Sequence, residues 1–387
     1  MAKPLNTLDM MRALIGTPSV SSTNKTHDQS NLPVIHLLAD WLENLGFAVT
    51  IVPLPNHAGK ANLIATIGPC YKGAKGLVLS GHTDTVPYDD SKWQQDPFKL
   101  TEKNNHFYGL GSTDMKSFFA LAIDVASRFK AADFKRPLTL LATADEESAM
   151  SGAQALSNEQ LQHAKYAIIG EPTGITPIRM HKGVMMESIV VTGHAGHSSN
   201  PTLGASATEG MLKVMDESLK WREDLQRKHQ NPAFDIASPT MNIGSIHGGD
   251  NPNRICAHCE TQIDIRPLPG MDIDLLRADL QKRLVNILPE DSKLTLIYRP
   301  IFCGVPAFET AADAQFTQLT ESLSGKKAQA VAFGTEAPYL NKLGLDTLVI
   351  GPGHIDQAHQ ANEYIPANQI TPYCNLLQNL IKNICIK

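Results

Sequence analysis

His82-Thr83-Asp84 directly follows the apolar run 77–80, and more groups able to bind metal or move a proton recur downstream as Asp114, the pair Glu146-Glu147, Glu171 and His359. Two imidazoles and several carboxylates suit a pair of divalent cations, because zinc accepts both ring nitrogen and carboxylate oxygen. One acid is then surplus to coordination and free to handle a proton. That surplus points to hydrolysis rather than to metal storage or a structural site.

His82 and Asp84 stand two apart, so in an extended strand they face the same way. Either both ligate, or Asp84 bonds the second ring nitrogen of His82 and fixes its tautomer; the second is favoured because it uses no coordination position. Asp114 closes Gly109-Leu110-Gly111-Ser112-Thr113-Asp114, just before a helical pattern. Its two oxygens could bridge two cations, and a helix N-cap is the ordinary alternative. No GK[ST] ending and no full GxGxxG accompanies those glycines, which removes a nucleotide site. Adjacent Glu146 and Glu147 would repel each other in a cleft unless cations neutralise them. Their side chains diverge, so one can ligate while the other takes a proton from water; an exposed acidic loop is the bland alternative. Glu171 follows an apolar strand and precedes Pro172, while His359 is distant and carries weight only in combination.

The elements that must position these groups read as follows. Helical spacing covers 8–15, 32–45 and 115–129, and strand patterns cover 47–52, 62–67, 77–80, 138–144 and 166–169. Three of those strands end at the acid-rich segments, the geometry of open α/β sheets with a cleft beyond their carboxyl ends. From about 181 the texture changes to strand 185–192, helix 205–221, strands 240–247 and 255–266, helix 273–288 and strand 293–298. This β-α-β-β-α-β order predicts an inserted α+β, ferredoxin-like domain. From 299 the α/β texture returns, with helix 316–322, strands 328–332 and 347–350 and a terminal helix 372–384. The expected division is therefore 1–181 and 299–387 as two parts of one domain, with 182–298 inserted. Such an insertion would let ligands at 82–171 meet His359.

The 387 residues exceed one core of usual size. A hydrophobic share of 42%, a charged share of 19% and a net charge of -5 describe an ordinary globular chain and give no reason to expect nucleic acid or an anionic membrane as partner. No apolar run reaches membrane-spanning length. Residues 1–6 lack the basic start and apolar stretch of a secretion signal, so the cytoplasm is expected. Six scattered cysteines suggest reduced thiols. Cys256-Ala257-His258-Cys259 could be a redox or zinc CxxC, but in a strand over 255–266 the two thiols would face opposite sides.

Together these segments resemble the co-catalytic zinc metallopeptidase family that includes aminoacylases, glutamate carboxypeptidases and desuccinylases. The resemblance rests on Gly81-His82-Thr83-Asp84-Thr85-Val86-Pro87, Gly170-Glu171-Pro172-Thr173, His247-Gly248-Gly249-Asp250, Asp264-Ile265-Arg266-Pro267 and Gly334-Thr335-Glu336-Ala337-Pro338, and it spans nearly the whole chain. It implies a mixed-sheet zinc-exopeptidase domain carrying the inserted domain as a dimerisation or lid element. By position, His82 and Glu171 would hold one zinc, Glu147 and His359 the other, with Asp114 bridging; cobalt could substitute. Glu146 would be the general base and Asp84 the partner of His82. His197 would stabilise the oxyanion from the partner subunit of a homodimer, and Asn253, Arg266, Gly334 and Thr335 would hold the substrate carboxylate. A strand-end salt bridge is the alternative for Arg266, and Glu336 could meet a substrate ammonium. Ser117 stands where relatives usually carry glycine. The implied reaction is hydrolysis of N-alpha-acetyl-L-ornithine to L-ornithine and acetate, in arginine biosynthesis. A broader N-acyl-amino-acid hydrolase or dipeptidase is the alternative, and a non-catalytic metal-binding homologue is a third reading.

Overall fold

The computed structural model describes residues 6–55 and 57–386. Residues 1–5, read above for a secretion signal, lie outside the described residues. In chain order the strands are β1 (Ala48–Pro53), β2 (Ala61–Ile67), β3 (Gly76–His82), β4 (Thr101–Lys103), β5 (His106–Tyr108), β6 (Leu138–Thr143), β7 (Ala164–Ile169), β8 (Ile178–His181), β9 (Met185–Thr192), β10 (Thr240–Gly248), β11 (His258–Arg266), β12 (Thr295–Pro300), β13 (Phe308–Glu309), β14 (Gln329–Val331), β15 (Asp346–Val349) and β16 (Tyr364–Pro366). The chain divides into two compact units. One takes in Met1–Arg179, Thr310–Gln329 and Thr335–Lys387, the other Met180–Glu309 and Ala330–Gly334.

The first unit is α/β, with a mixed sheet ordered β1-β2-β6-β3-β7-β15-β8. β3 is parallel to both β6 and β7, and β15 is parallel to β7; β1 and β2 are joined antiparallel. Every residue of β3 and β6 is buried. A strand covered on both faces reads as a continuous apolar run, which is how the sequence presents them. Helices Leu32–Asn44, Lys116–Ala126 and Ala367–Ile381 bring Leu38, Phe118, Leu121 and Leu377 into one core with Leu77, Leu79, Leu140 and Ile168. Each such side chain contributes about 1.5–3 kcal/mol of burial. The helix Leu32–Asn44 buries Val34, Ile35, Leu38, Ala39 and Leu42, a helical stripe, and stops where Gly46 takes φ +84.

Register decides the site. His82 stands opposite Thr143, and Ser80 stands opposite Ile169. The segments that follow β3, β6 and β7 therefore leave the sheet side by side at one edge, as parallel neighbours must. A separate small sheet, β16-β5-β4, pairs Tyr364 with Tyr108 and so draws the 359–363 segment beside the 109–114 loop. The sequence reading contains none of these three strands, which are too short to show a period.

The second unit carries the antiparallel sheet β10-β11-β9-β12. Helices Ala207–Lys228 and Ile273–Leu284 pack on it through Met211, Val214, Trp221, Leu276 and Leu280 against Ile189, Val191, Ile263 and Ile265. The expected element order holds, with shifted ends. Helix Ala207–Lys228 runs past 221 because Leu225 continues the buried stripe. The last helix starts at Ala367, five residues before Pro372. The strand expected from 255 begins at His258, so Cys256 precedes it and donates its Sγ–H to the His258 carbonyl at 3.0 Å. The face argument for the two thiols therefore fails, although both are free. No described helix is long and apolar enough to cross a membrane.

Candidate active site

His82, the last residue of β3, is buried. Its Nδ1–H donates to the Asp84 main-chain carbonyl at 3.0 Å, which leaves Nε2 facing Asp114 Oδ1 at 2.9 Å and Glu171 Oε1 at 3.6 Å. The Asp84 carboxylate, the expected partner of Nδ1, is also beside it at 3.6 Å, farther than the carbonyl. The chain turns as it leaves the sheet, and this brings the carbonyl to the ring. The Asp84 side chain also accepts the backbone N–H of Glu146 at 3.3 Å and of Glu147 at 3.1 Å. Burial works against its charge, but His82, the Ser21 hydroxyl and the Glu147 N–H hold its pKa below the usual carboxylate range.

Asp114 lies at the end of the 109–114 loop rather than capping the following helix; Met115 is the N-cap, with no side-chain capping bond. One Asp114 oxygen faces His82, and the other faces His359 Nε2 at 3.2 Å. His359 Nε2 also lies 3.0 Å from Glu147 Oε2. His359 adopts φ +60 and keeps a side chain that is 56% exposed, so the cluster opens to solvent on this side. Among the described residues, His82, Asp114 and Glu147 bring ligand-type atoms within 4.8 Å of one another.

The charges are severely crowded. Hydrogen bonds to Asp114 and Glu147 raise the His359 imidazole to about 11. Burial and the Asp114 charge push Glu147 up to about 7, against bonding from His359. Burial drives Glu146 and Glu171 well above the usual range; His82 opposes this in both, and neighbouring carboxylates add to it. Glu147 Oε1 is buried without a hydrogen-bond partner. The donor set, the orphaned oxygen and the mutual repulsion all fit two divalent cations, whose charge would balance Asp114, Glu146, Glu147 and Glu171.

Sequence reasoning missed the residues that hold this arrangement. Glu363 is buried and accepts three main-chain N–H groups, from Gly111 at 3.0 Å, Thr113 at 2.7 Å and Asp114 at 2.9 Å. Burial and the Asp114 charge push its carboxyl up to about 8 against those donors. Its position four residues after His359 is the signal that could have found it. Glu336, which the sequence reading offers as a contact for a substrate ammonium, is buried, and its Oε2 accepts the Thr143 hydroxyl at 2.8 Å.

The remaining expected residues are placed elsewhere in the chain. His197, Asn253, Arg266 and Gly334 belong to the second unit, and Thr335 to the first. His197 Nδ1 accepts the Ser199 hydroxyl at 2.7 Å. Arg266 Nε pairs with Asp264 at 2.9 Å, the ion pair weighed as its alternative. Thr335 is buried and its hydroxyl accepts the Ala337 N–H at 3.1 Å.

A model of Peptidase family M20/M25/M40 matches residues 78–383. An acetylornithine deacetylase of Proteus mirabilis (strain HI4320) is 45% identical over 382 residues, covering 98% of this chain and 97% of its own. A tripeptidase structure from Staphylococcus aureus superposes with TM-score 0.75 at 19% identity, covering 99% of this chain and 98% of that one. A dinuclear metal binding peptidase from the M20 family, of Bacillus subtilis, superposes with TM-score 0.67 at 15% identity over 98% of each chain. The two structural likenesses show the fold. With a family model over most of its length and so near a relative across it, this chain belongs to Peptidase family M20/M25/M40.

Proposed function

We propose that the protein hydrolyses N-alpha-acetyl-L-ornithine to L-ornithine and acetate, a step of arginine biosynthesis. The observation that carries hydrolysis is Asp114, whose two oxygens face His82 and His359 separately, with Glu146 close enough to feel the charge of His82. Substrate choice is supported by the 45% identity to the Proteus mirabilis acetylornithine deacetylase. His82 and Glu171 would hold one zinc, Glu147 and His359 the other, and Asp114 both, with cobalt able to substitute. When bound, these ions supply Lewis acidity that polarises the amide carbonyl and makes water more acidic.

The chain's own residues do the rest. Glu146 takes the proton of the attacking water on its carboxylate and returns it to the amine nitrogen, which must be protonated to leave. Its affinity for a proton, raised by burial, suits that shuttle. Asp84 holds Glu146 and Glu147 by their amides and accepts no ligand role. Asn253, Arg266, Gly334 and Thr335 recognise the substrate carboxylate, for which a guanidinium offers two parallel donors. His197 donates to the tetrahedral oxyanion from the partner subunit of a homodimer built on the second unit. The six free thiols agree with a cytoplasmic location.

The test is metal analysis combined with turnover on chelated and reloaded protein, over a panel of acetylated amino acids and dipeptides. Fastest turnover on acetylornithine is expected, and a dipeptide as best substrate refutes the substrate assignment. Full activity in a monomer refutes the role of His197.

A further inference from the structure

Glu146 and Glu147 ride on a turn, residues 144–152, that is gripped from behind by strand β2. Lys60, just before that strand, and Asn62, within it, stand two apart, and both are buried. Asn62 Oδ1 accepts the Ala144 N–H at 3.1 Å, and its Nδ2 donates to the Gly152 carbonyl at 2.8 Å. Gly152 N–H in turn donates to the Ala144 carbonyl at 3.0 Å, so one amide side chain ties both ends of the turn. Lys60 Nζ donates to Ser21 Oγ at 2.7 Å, to Asp28 at 2.7 Å and to Asp145 Oδ1 at 3.2 Å. The other Asp145 oxygen accepts the Ser151 hydroxyl at 2.6 Å.

Asp145 directly precedes Glu146 and adopts φ +64, the left-handed region. Aspartate and asparagine visit this region more readily than other non-glycine residues, though at some cost in strain. On the opposite side, the Asp84 carboxylate takes the N–H of Glu146 and Glu147. The turn is thus fixed by its side chain behind and its amides in front. Buried ion pairs are weak stabilisers, and apolar groups of equal volume often do as well. Stability alone does not explain a buried lysine whose reach ends at the residue before Glu146.

We propose that Lys60 and Asn62 are positioning residues that set the aim of Glu146 and Glu147, Lys60 acting through Asp145. This rests on the reading of Glu146 as the general base. Neither side chain contacts the ligand cluster; each fixes the backbone from which its acids project. Misplacing a reacting group by an ångström costs on the order of 100-fold in rate.

The experiment uses the full chain loaded with zinc, in Lys60→Met, Asp145→Asn and the double variant. Asparagine tolerates the left-handed backbone and keeps the Ser151 bond, so Asp145→Asn reports even if Lys60→Met does not fold. Each single variant is expected to lose about 10–100-fold in kcat with KM within about twofold, the double variant losing no more than the worse single one. Hydrogen exchange at the amides of 144–152 should quicken in each by at least about 10-fold. Wild-type kcat and exchange in a folded Asp145→Asn overturn the proposal, as do kcat losses that multiply in the double variant. Glu146→Gln separates the two readings: if it turns over like wild type, the base assignment fails, while the exchange of 144–152 still decides the clamp.

Discussion

Glu363→Gln removes one acceptor from a buried carboxyl group that organises the loop carrying Asp114. In the wild type, Oε1 takes the N–H of Thr113 and of Asp114, and Oε2 takes that of Gly111. A glutamine that keeps its oxygen in the Oε1 place turns its own N–H groups toward Gly111. One buried donor then loses its acceptor, at a cost of about 1–3 kcal/mol. Glu363→Ala strips all three, about 3–9 kcal/mol by the same reasoning, which is comparable to the whole stability of a domain. The glutamine variant is therefore the informative one. Because Gly111 and Asp114 share one short loop, loosening it disorders both oxygens of the carboxylate proposed to join two cations. Losing such an outer partner typically weakens metal binding by about 10–100-fold. Urea unfolding of chelator-treated protein reads the first effect, and competition with a zinc-binding dye reads the second. Wild-type values in both refute the account of Glu363. A stability loss with unchanged zinc affinity refutes the link from Glu363 to Asp114 as a ligand.

Three further outcomes follow from named contacts. Glu146→Gln should lower kcat by at least about 100-fold while zinc content, read by elemental analysis, stays at the wild-type ratio; a residual rate within tenfold removes Glu146 from the base role. Gly152→Ala places a Cβ 2.5 Å from the Ala144 carbonyl oxygen and 2.6 Å from both the Ala144 nitrogen and Asn62 Oδ1, so unfolding should show a loss of about 1–3 kcal/mol, and an unchanged midpoint contradicts the tight closure of that turn. Burial pushes the Cys385 thiol up to about 12 from an ordinary value of 9.0. Its neutral form is therefore favoured by the fold: that stability is complete below pH 9 and is lost as pH rises toward 12, by about 1.4 kcal/mol per unit. Cys385→Ala should flatten the fall of stability between pH 9 and 11 by that slope, and parallel curves for the two proteins refute it.

Apolar runs made β3, β6 and the buried end of β7 legible, because a strand covered on both faces is mostly hydrophobic. Reactive groups at their ends were legible for the same reason, since an acid or histidine after such a run has no core to join. Sheet order was not. Nothing in the run 77–80 says that β6, 60 residues later, lies on one side and β7 on the other. The strands of the small sheet are three residues each and carry no period, yet they bring His359 to Asp114. Buried charges were hardest to read. Lys60, Asn62 and Glu363 look like surface residues until distant partners are known: the Asp145 side chain for Lys60, and the main chain of Ala144 and Gly111, 82 and 252 residues away, for Asn62 and Glu363. Asp84 was legible in part: its spacing from His82 places its carboxylate beside the ring, while only the turn shows that its carbonyl lies nearer.

The second unit is almost one continuous stretch, whereas the first needs both sides of it. β15 lies between β7 and β8, and Tyr373, Leu377 and Leu380 belong to the same core as Leu77 and Leu79. During synthesis, then, Met180–Glu309 can collapse as soon as it leaves the ribosome, while the earlier segment waits with an unfinished sheet edge. His359 is the last of the cluster to be made. Until it arrives, the growing chain carries His82, Asp114, Glu147 and Glu171 without the imidazole that faces the other oxygen of Asp114. A nascent chain halted before residue 359 should therefore capture metal weakly, so that metal acquisition becomes a late event that marks completed synthesis.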